Sequence, residues 1–166
     1  AIIDIQRGYV DSGSQVLYTP TFGANRRKLE EHGIFNRTED YNRRLAALSE
    51  QASGGRALRA GDISPTGAFL APLGDVSFEE LVDIYTQQAA GLESAGVDLF
   101  VIETMMTLSD ARAAVLAVRS VSDKPVFVTF TCDENGRSIS GGDVTAALVV
   151  LQGMGIDAFG LNCSAG

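Results

Sequence analysis

The residues with chemical potential in this chain are few. Cys163 ends the apolar run "MGIDAFGLNC" (154–163). A thiolate is a good ligand for Zn²⁺, and a catalytic zinc takes three protein ligands and keeps one position open. Cysteine is also a small hydrophobe that is often buried, so spacing alone leaves both roles open. Cys132 lies just past another apolar run, "KPVFVTFTCD" (124–133), and neither thiol has a C-x-x-C partner. The single histidine, His32 in "EEHG", suits a solvated last helical turn, where a cation meets the helix dipole. Glu103 directly follows "DLFVI". A carboxylate buried there unpaired would be costly, so it calls for an ammonium group on a substrate or for a neighbouring arginine.

These residues must be held by strands. "AGVDLFVIET" (95–104) and "MGIDAFGLNC" share a phrase: Gly, a β-branched residue, Asp, any residue, Phe, then apolar residues that end in a polar one. "SGSQVLYTPT" (12–21) is a looser copy, and "GRALRAGDIS" (55–64) and "KPVFVTFTCD" are runs of similar length. The glycines suit helix ends, where a left-handed residue is common. The runs barely alternate, as in parallel strands covered on both faces. Ser77-Phe-Glu-Glu80 reads as a capping box, opening a helix whose Leu81, Ile84, Tyr85, Gln88 and Leu92 share one face. Thr107, Asp143 and Thr38 begin further helices.

The pattern predicts strands near 15–20, 57–62, 98–103, 126–131 and 157–162, each following a helix. That alternation implies a parallel α/β sheet in one domain. No G-x-G-x-x-G or P-loop follows any strand. Instead, polar residues gather at the strand ends: Thr19-Pro20-Thr21, Asp62-Ile63-Ser64, Glu103-Thr104, Thr131-Cys132-Asp133 and Asn162-Cys163-Ser164. Many strands feeding one mouth is the (β/α)₈ barrel pattern. Five strands are too few to close one. The chain therefore reads as a partial (β/α)₈ TIM barrel, expected to be a piece of a longer protein. The loop "GDISPTGAFLAPLGD" (61–75) is unusually apolar, which favours packing on a substrate or another domain.

Composition sets outer bounds. Of 166 residues, 45% are hydrophobic and 20% charged, as in ordinary soluble domains. A net charge of −8 with scattered basic residues argues against a nucleic-acid partner. No apolar stretch approaches bilayer length. Asp4 and Arg7 interrupt the opening apolar pattern, so it reads as an amphipathic helix rather than a signal peptide. Two cysteines and no secretion signal point to the cytoplasm.

Taken together, "PTFGANRRKLEEHG" (20–33), "GDISPTGAFLAPLGD", "GVDLFVIETMMTLSDARAAVLAVR" (96–119), "PVFVTFTCDENGR" (125–137) and "GIDAFGLNCSAG" (155–166) resemble the zinc-dependent homocysteine S-methyltransferases. They are most similar to the homocysteine-binding barrel of the cobalamin-dependent methionine synthases. The resemblance implies a (β/α)₈ barrel running here from about helix 1 to the end of strand 6, without the first strand and the last two βα units, so that residues 1–166 are a homocysteine-binding domain incomplete at both ends. It implies that Cys163 is one of three cysteine zinc ligands, the other two lying beyond Gly166, and that Cys132 is a bystander. Glu103 matches the family's glutamate for the homocysteine amino group, and Phe22 and Asn162 match positions lining the same pocket. Pro20 stands where the family often has Asn. The implied reaction is methyl transfer to a zinc-held homocysteine thiolate, giving methionine, with methylcobalamin as donor on a separate cobalamin-binding domain and a methyltetrahydrofolate-binding domain as a further partner. These residues alone are expected to be inactive. The rival readings are another barrel enzyme, of pterin-binding or aldolase type and without zinc, and a non-catalytic scaffold.

Overall fold

The repeated Gly-x-Asp phrase marks where each strand enters the sheet. In the computed structural model, which describes residues 1–164, five strands run in parallel: β1 (Val16–Tyr18), β2 (Leu58–Ile63), β3 (Leu99–Met105), β4 (Val126–Phe130) and β5 (Ala158–Leu161). They lie side by side in chain order. Gly96 and Gly155 take φ of 72° and 79° and turn the chain out of the preceding helices, a conformation other residues resist. The aspartate two residues later sets the register. Asp98 accepts a 2.7 Å bond from the Arg59 backbone N–H and donates its own N–H to the Arg59 carbonyl at 2.8 Å. Asp157 does the same with Val126, both bonds being 2.8 Å. Each aspartate thus satisfies an N–H that would otherwise be orphaned at the start of the neighbouring strand.

The helices between the strands are α1 (Ile2–Asp11), α3 (Thr38–Ser53), α4 (Phe78–Ser94), α5 (Leu108–Val121) and α6 (Val144–Gly153). Ser77, Thr107 and Asp143 cap α4, α5 and α6 with their side-chain oxygens. Sequence alternation missed one detail. The stretch after β1 adds a short helix, α2 (Arg26–Glu30), and a 3₁₀ turn (Phe35–Arg37) before α3. Asn25 is the reason for α2, since its side chain accepts a 3.0 Å bond from the Lys28 N–H.

The main core lies between the sheet and α4 and α5. Phe100, Ile102, Val126, Val128 and Phe130 pack there against Leu81, Tyr85, Ala89, Leu92, Ala114 and Val118. The opposite face of the sheet carries a smaller buried cluster of Ala60, Leu99 and Val101. Towards the edges it is open, with Val16, Tyr18 and Leu58 exposed. The loop 61–75 is split: Ala68 and Leu70 pack against the core, whereas Phe69 and Leu73 face outward.

Two polar residues on the buried face of α4 reach the strand ends. Gln88 donates to the Thr21 carbonyl at 2.9 Å. The Tyr85 hydroxyl donates to Asp110 at 2.6 Å and receives the Thr66 N–H at 3.2 Å. Burial pushes Asp110 up to about 6, against the opposing effect of the Tyr85 bond. A folded-state value above the unfolded one means that protonation favours folding, so this contribution is full below about pH 4 and is lost as pH rises through about 6. Asp110→Asn removes the dependence. Its stability relative to the parent, from urea midpoints, should rise by about 3 kcal/mol between roughly pH 3.5 and 7.

Gly91 sits mid-helix in α4 because the backbone of α3 crosses it. A Cβ there would meet the Glu39 carbonyl oxygen at 2.5 Å and the Asn42 Cβ at 2.9 Å. Gly91→Ala should therefore destabilise by about 1–3 kcal/mol, although alanine is the better helix former by about 1 kcal/mol. Gly153→Ala in α6, where a Cβ meets nothing within 4 Å, is the control and should be neutral or stabilising in thermal unfolding.

Candidate functional site

Glu103 is aimed by an irregularity in β3. The ladder to β4 pairs Ile102 with Val128 and then Met105 with Phe130, so Glu103 and Thr104 together oppose Thr129 alone. This is a β-bulge, a device that re-aims a side chain at a strand end. It places Thr104 at φ 61°, which a β-branched residue adopts only when held there. Two bonds hold its N–H, one to Thr129 Oγ1 and one to Asn162 Oδ1, both 3.2 Å.

Asn162, just past β5, is the centre of the cluster. Its Nδ2 donates to Glu103 Oε2 and to Thr104 Oγ1, each at 2.9 Å. Cys163 follows at φ 50°, with Sγ 3.9 Å from Thr104 Oγ1 and the residue exposed. Three residues singled out from the sequence, Glu103, Asn162 and Cys163, therefore meet at the C-terminal end of the sheet. Phe22 lies at the same end, on the loop after β1. It is about half exposed and outside that hydrogen-bonded group, and its carbonyl accepts from the Ser64 hydroxyl. Cys132 is buried, and its N–H is bound by Ser164 Oγ at 3.1 Å. His32 is exposed, as its place near a helix end suggested.

Asp62 also belongs here, although the sequence marked it only as one of several strand-end polar residues. It is 5% exposed and lies on the same face of β2 as Ala60. Its backbone is pinned by two buried threonines, Thr19 Oγ1 accepting its N–H at 3.0 Å and Thr21 Oγ1 donating to its carbonyl at 2.8 Å. Burial first, then the charge of Glu103 and a hydrogen bond to it, raise the Asp62 pKa far above the usual carboxylate range. Tyr18 on β1 feels both acids: partial burial, then Glu103 and Asp62, raise its phenol. Alternation along β2 put Asp62 on this face, and that was the available signal. Thr104 gave none, because its sequence neighbourhood says nothing of a left-handed backbone.

Among the described residues no group of three or more His, Cys, Asp or Glu side chains is arranged to hold a metal ion. Cys163 offers one exposed thiol, a donor suited to zinc, and would need further ligands beside it. No helix among the described residues is long and apolar enough to cross a membrane.

A family-wide profile for the homocysteine S-methyltransferases matches residues 1–165. The chain belongs to the homocysteine S-methyltransferase family. Within the family it is 30% identical over 173 residues to the methionine synthases of Mycobacterium tuberculosis and Mycobacterium leprae, covering 98% of this chain and 14% of each of theirs. The Escherichia coli homocysteine methyltransferase MmuM in its oxidized form superposes with a TM-score of 0.85 at 20% identity, over 98% of this chain and 61% of that one. Its apo form gives 0.80. The five-stranded open sheet thus has the fold of part of a (β/α)₈ barrel. The other barrel superpositions, such as the carboxyl transferase domain of Rhizobium etli pyruvate carboxylase at a TM-score of 0.58 and 17% identity, share architecture only.

Removing the Asn162 side chain should loosen the cluster. In Asn162→Ala the Thr104 amide should exchange with solvent about tenfold faster, the equivalent of losing one hydrogen bond of about 1.4 kcal/mol. Exchange at the Asp98 amide, at the other end of β3, should be unchanged.

Proposed function

We propose that these residues form the homocysteine-binding part of a methyltransferase that makes methionine, within a barrel larger than the five strands described. Membership of the family over nearly the whole chain is the observation that carries the reading. The open sheet, with exposed apolar residues on its uncovered face, supports a place within a larger barrel. The chain spans only 14% of the curated methionine synthases it matches. The methyl donor is accordingly placed elsewhere: methylcobalamin on a separate domain, with a methyltetrahydrofolate-binding domain as a further partner. Free thiols and the absence of disulfides suit a cytoplasmic protein.

The roles follow from position. Cys163 supplies one zinc ligand from its exposed place after β5, and the remaining ligands come from outside the described residues. A zinc bound there would keep the acceptor sulfur as its reactive thiolate at neutral pH. Glu103 takes the amino group of homocysteine, a charge-assisted contact of the stronger kind. Asn162 orients Glu103 through the 2.9 Å bond to Oε2, leaving Oε1 for the substrate. Phe22, half exposed at the same mouth, lines the pocket. The thiol releases its proton to solvent, its sulfur bonds to the methyl carbon, and the donor leaves with the electron pair of the broken bond.

Zinc content and methionine formation, measured on the full chain, test this. Cys163→Ser should lower zinc affinity about 10–100-fold or more and abolish turnover. Glu103→Gln should keep zinc and raise the homocysteine KM by about 10–100-fold, the worth of one charged hydrogen bond. Zinc content and turnover indifferent to Cys163→Ser would sink the assignment.

A further inference from the structure

Two carboxylates stand together at the mouth, and no protein cation answers them. Glu103 comes from β3 and Asp62 from β2, where Asp62 is paired to Val101, two residues before Glu103 on the same face. None of the ion pairs among the described residues includes either one. Asp62 is 95% buried by its 5% exposure, and its Oδ1 has no hydrogen-bond partner. Buried polar atoms are rarely left so, and each exception asks for a reason. Local folding does not supply one. The bonds to Thr19 and Thr21 use only the Asp62 backbone, so an alanine or asparagine would keep them.

We propose that Asp62 is a second carboxylate for the substrate's ammonium group, receiving it from β2 while Glu103 receives it from β3. An ammonium has three N–H donors and no acceptor, so it can bind two carboxylates at once. One cation between two acids also offsets the charge of Glu103, which after burial is the next cause that raises the Asp62 pKa. The site would thereby prefer acceptors carrying a free primary α-amino group and reject thiols without one. The preference would be strong, because a missing ammonium leaves the buried Asp62 Oδ1 without a partner. The buried Thr19–Thr21 pair, 2.7 Å between hydroxyls, holds the backbone that carries Asp62.

This inference rests on the homocysteine reading, and one set of measurements separates the two. In the full zinc-loaded protein, binding of homocysteine and of its desamino analogue, 4-mercaptobutanoate, is followed by calorimetry. Asp62→Asn should weaken homocysteine about tenfold or more and leave 4-mercaptobutanoate unchanged. Asp62→Ser keeps the same backbone bonds and must give the same split. Zinc content and thermal unfolding are read on each variant. If both ligands weaken equally, or neither does, while Glu103→Gln still selects against homocysteine alone, the role of Asp62 is overturned and the homocysteine reading stands. If Glu103→Gln also fails to discriminate, the homocysteine reading falls with it.

Discussion

Everything at the mouth of this sheet depends on parallel register. Asp62, Glu103 and Asn162 are 41 and 59 residues apart along the chain, as their numbers give, and they meet because the pairing sets Asp62 opposite Val101 and ends β3, β4 and β5 level at Met105, Phe130 and Leu161. A slip of one residue in any pair would turn that strand's side chains to the other face. The start of the strands prevents it. Asp98 and Asp157 each close a two-bond ring with one residue of the preceding strand. Arg59 and Arg119 reinforce these rings through ion pairs to the same carboxylates. Alignment is thus fixed at one end of the sheet and used at the other.

The central helices carry that alignment to the chemistry. α4 is amphipathic in a particular sense: most of its buried face is apolar, but Tyr85 and Gln88 on that face are fully buried and polar. Both spend their hydrogen bonds on the loops that follow the strands. Tyr85 ties the segment after β2 to the first turn of α5, and Gln88 ties the segment after β1 to α4. In the loop after β2 these bonds add to the packing of Ala68 and Leu70 against the core. The outer helices do less. α1 and α6 bury few residues, and Ile5, Tyr9 and Val149 stay exposed, which matches a sheet whose edge strands β1 and β5 each have one neighbour.

At the mouth, strain and charge are held in place by a single amide. Asn162 bonds the Glu103 carboxylate, the Thr104 hydroxyl and the Thr104 N–H, and so stabilises both the bulge and the direction of the acid. Two residues in left-handed backbone, Thr104 and Cys163, face each other across it. Strain of this kind persists where the surroundings over-determine it, and it gathers at functional sites. Asp62 adds a buried carboxyl whose Oδ1 has no hydrogen-bond partner, so this end of the sheet holds a polar atom that the fold itself does not satisfy.

The sequence by itself determined the helix–strand alternation, the five strand positions, the caps at Ser77, Thr107 and Asp143, and the buried face of α4. These follow from local periodicity and from side chains that bond their own neighbours, and the chain cannot hide them. It also marked Glu103, Asn162 and Cys163, through polar residues interrupting apolar runs and through resemblance to a family. Only the tertiary structure decided how those residues meet. The bulge at Thr104 exists because Asn162, 58 residues away, bonds it. The exposure of Cys163 and the burial of Cys132 depend on which side of the sheet end each thiol falls. The unpartnered Oδ1 of Asp62 depends on what the neighbouring strands fail to offer it. Pairing across long separations is a property of the packed sheet, and no window of sequence contains both partners.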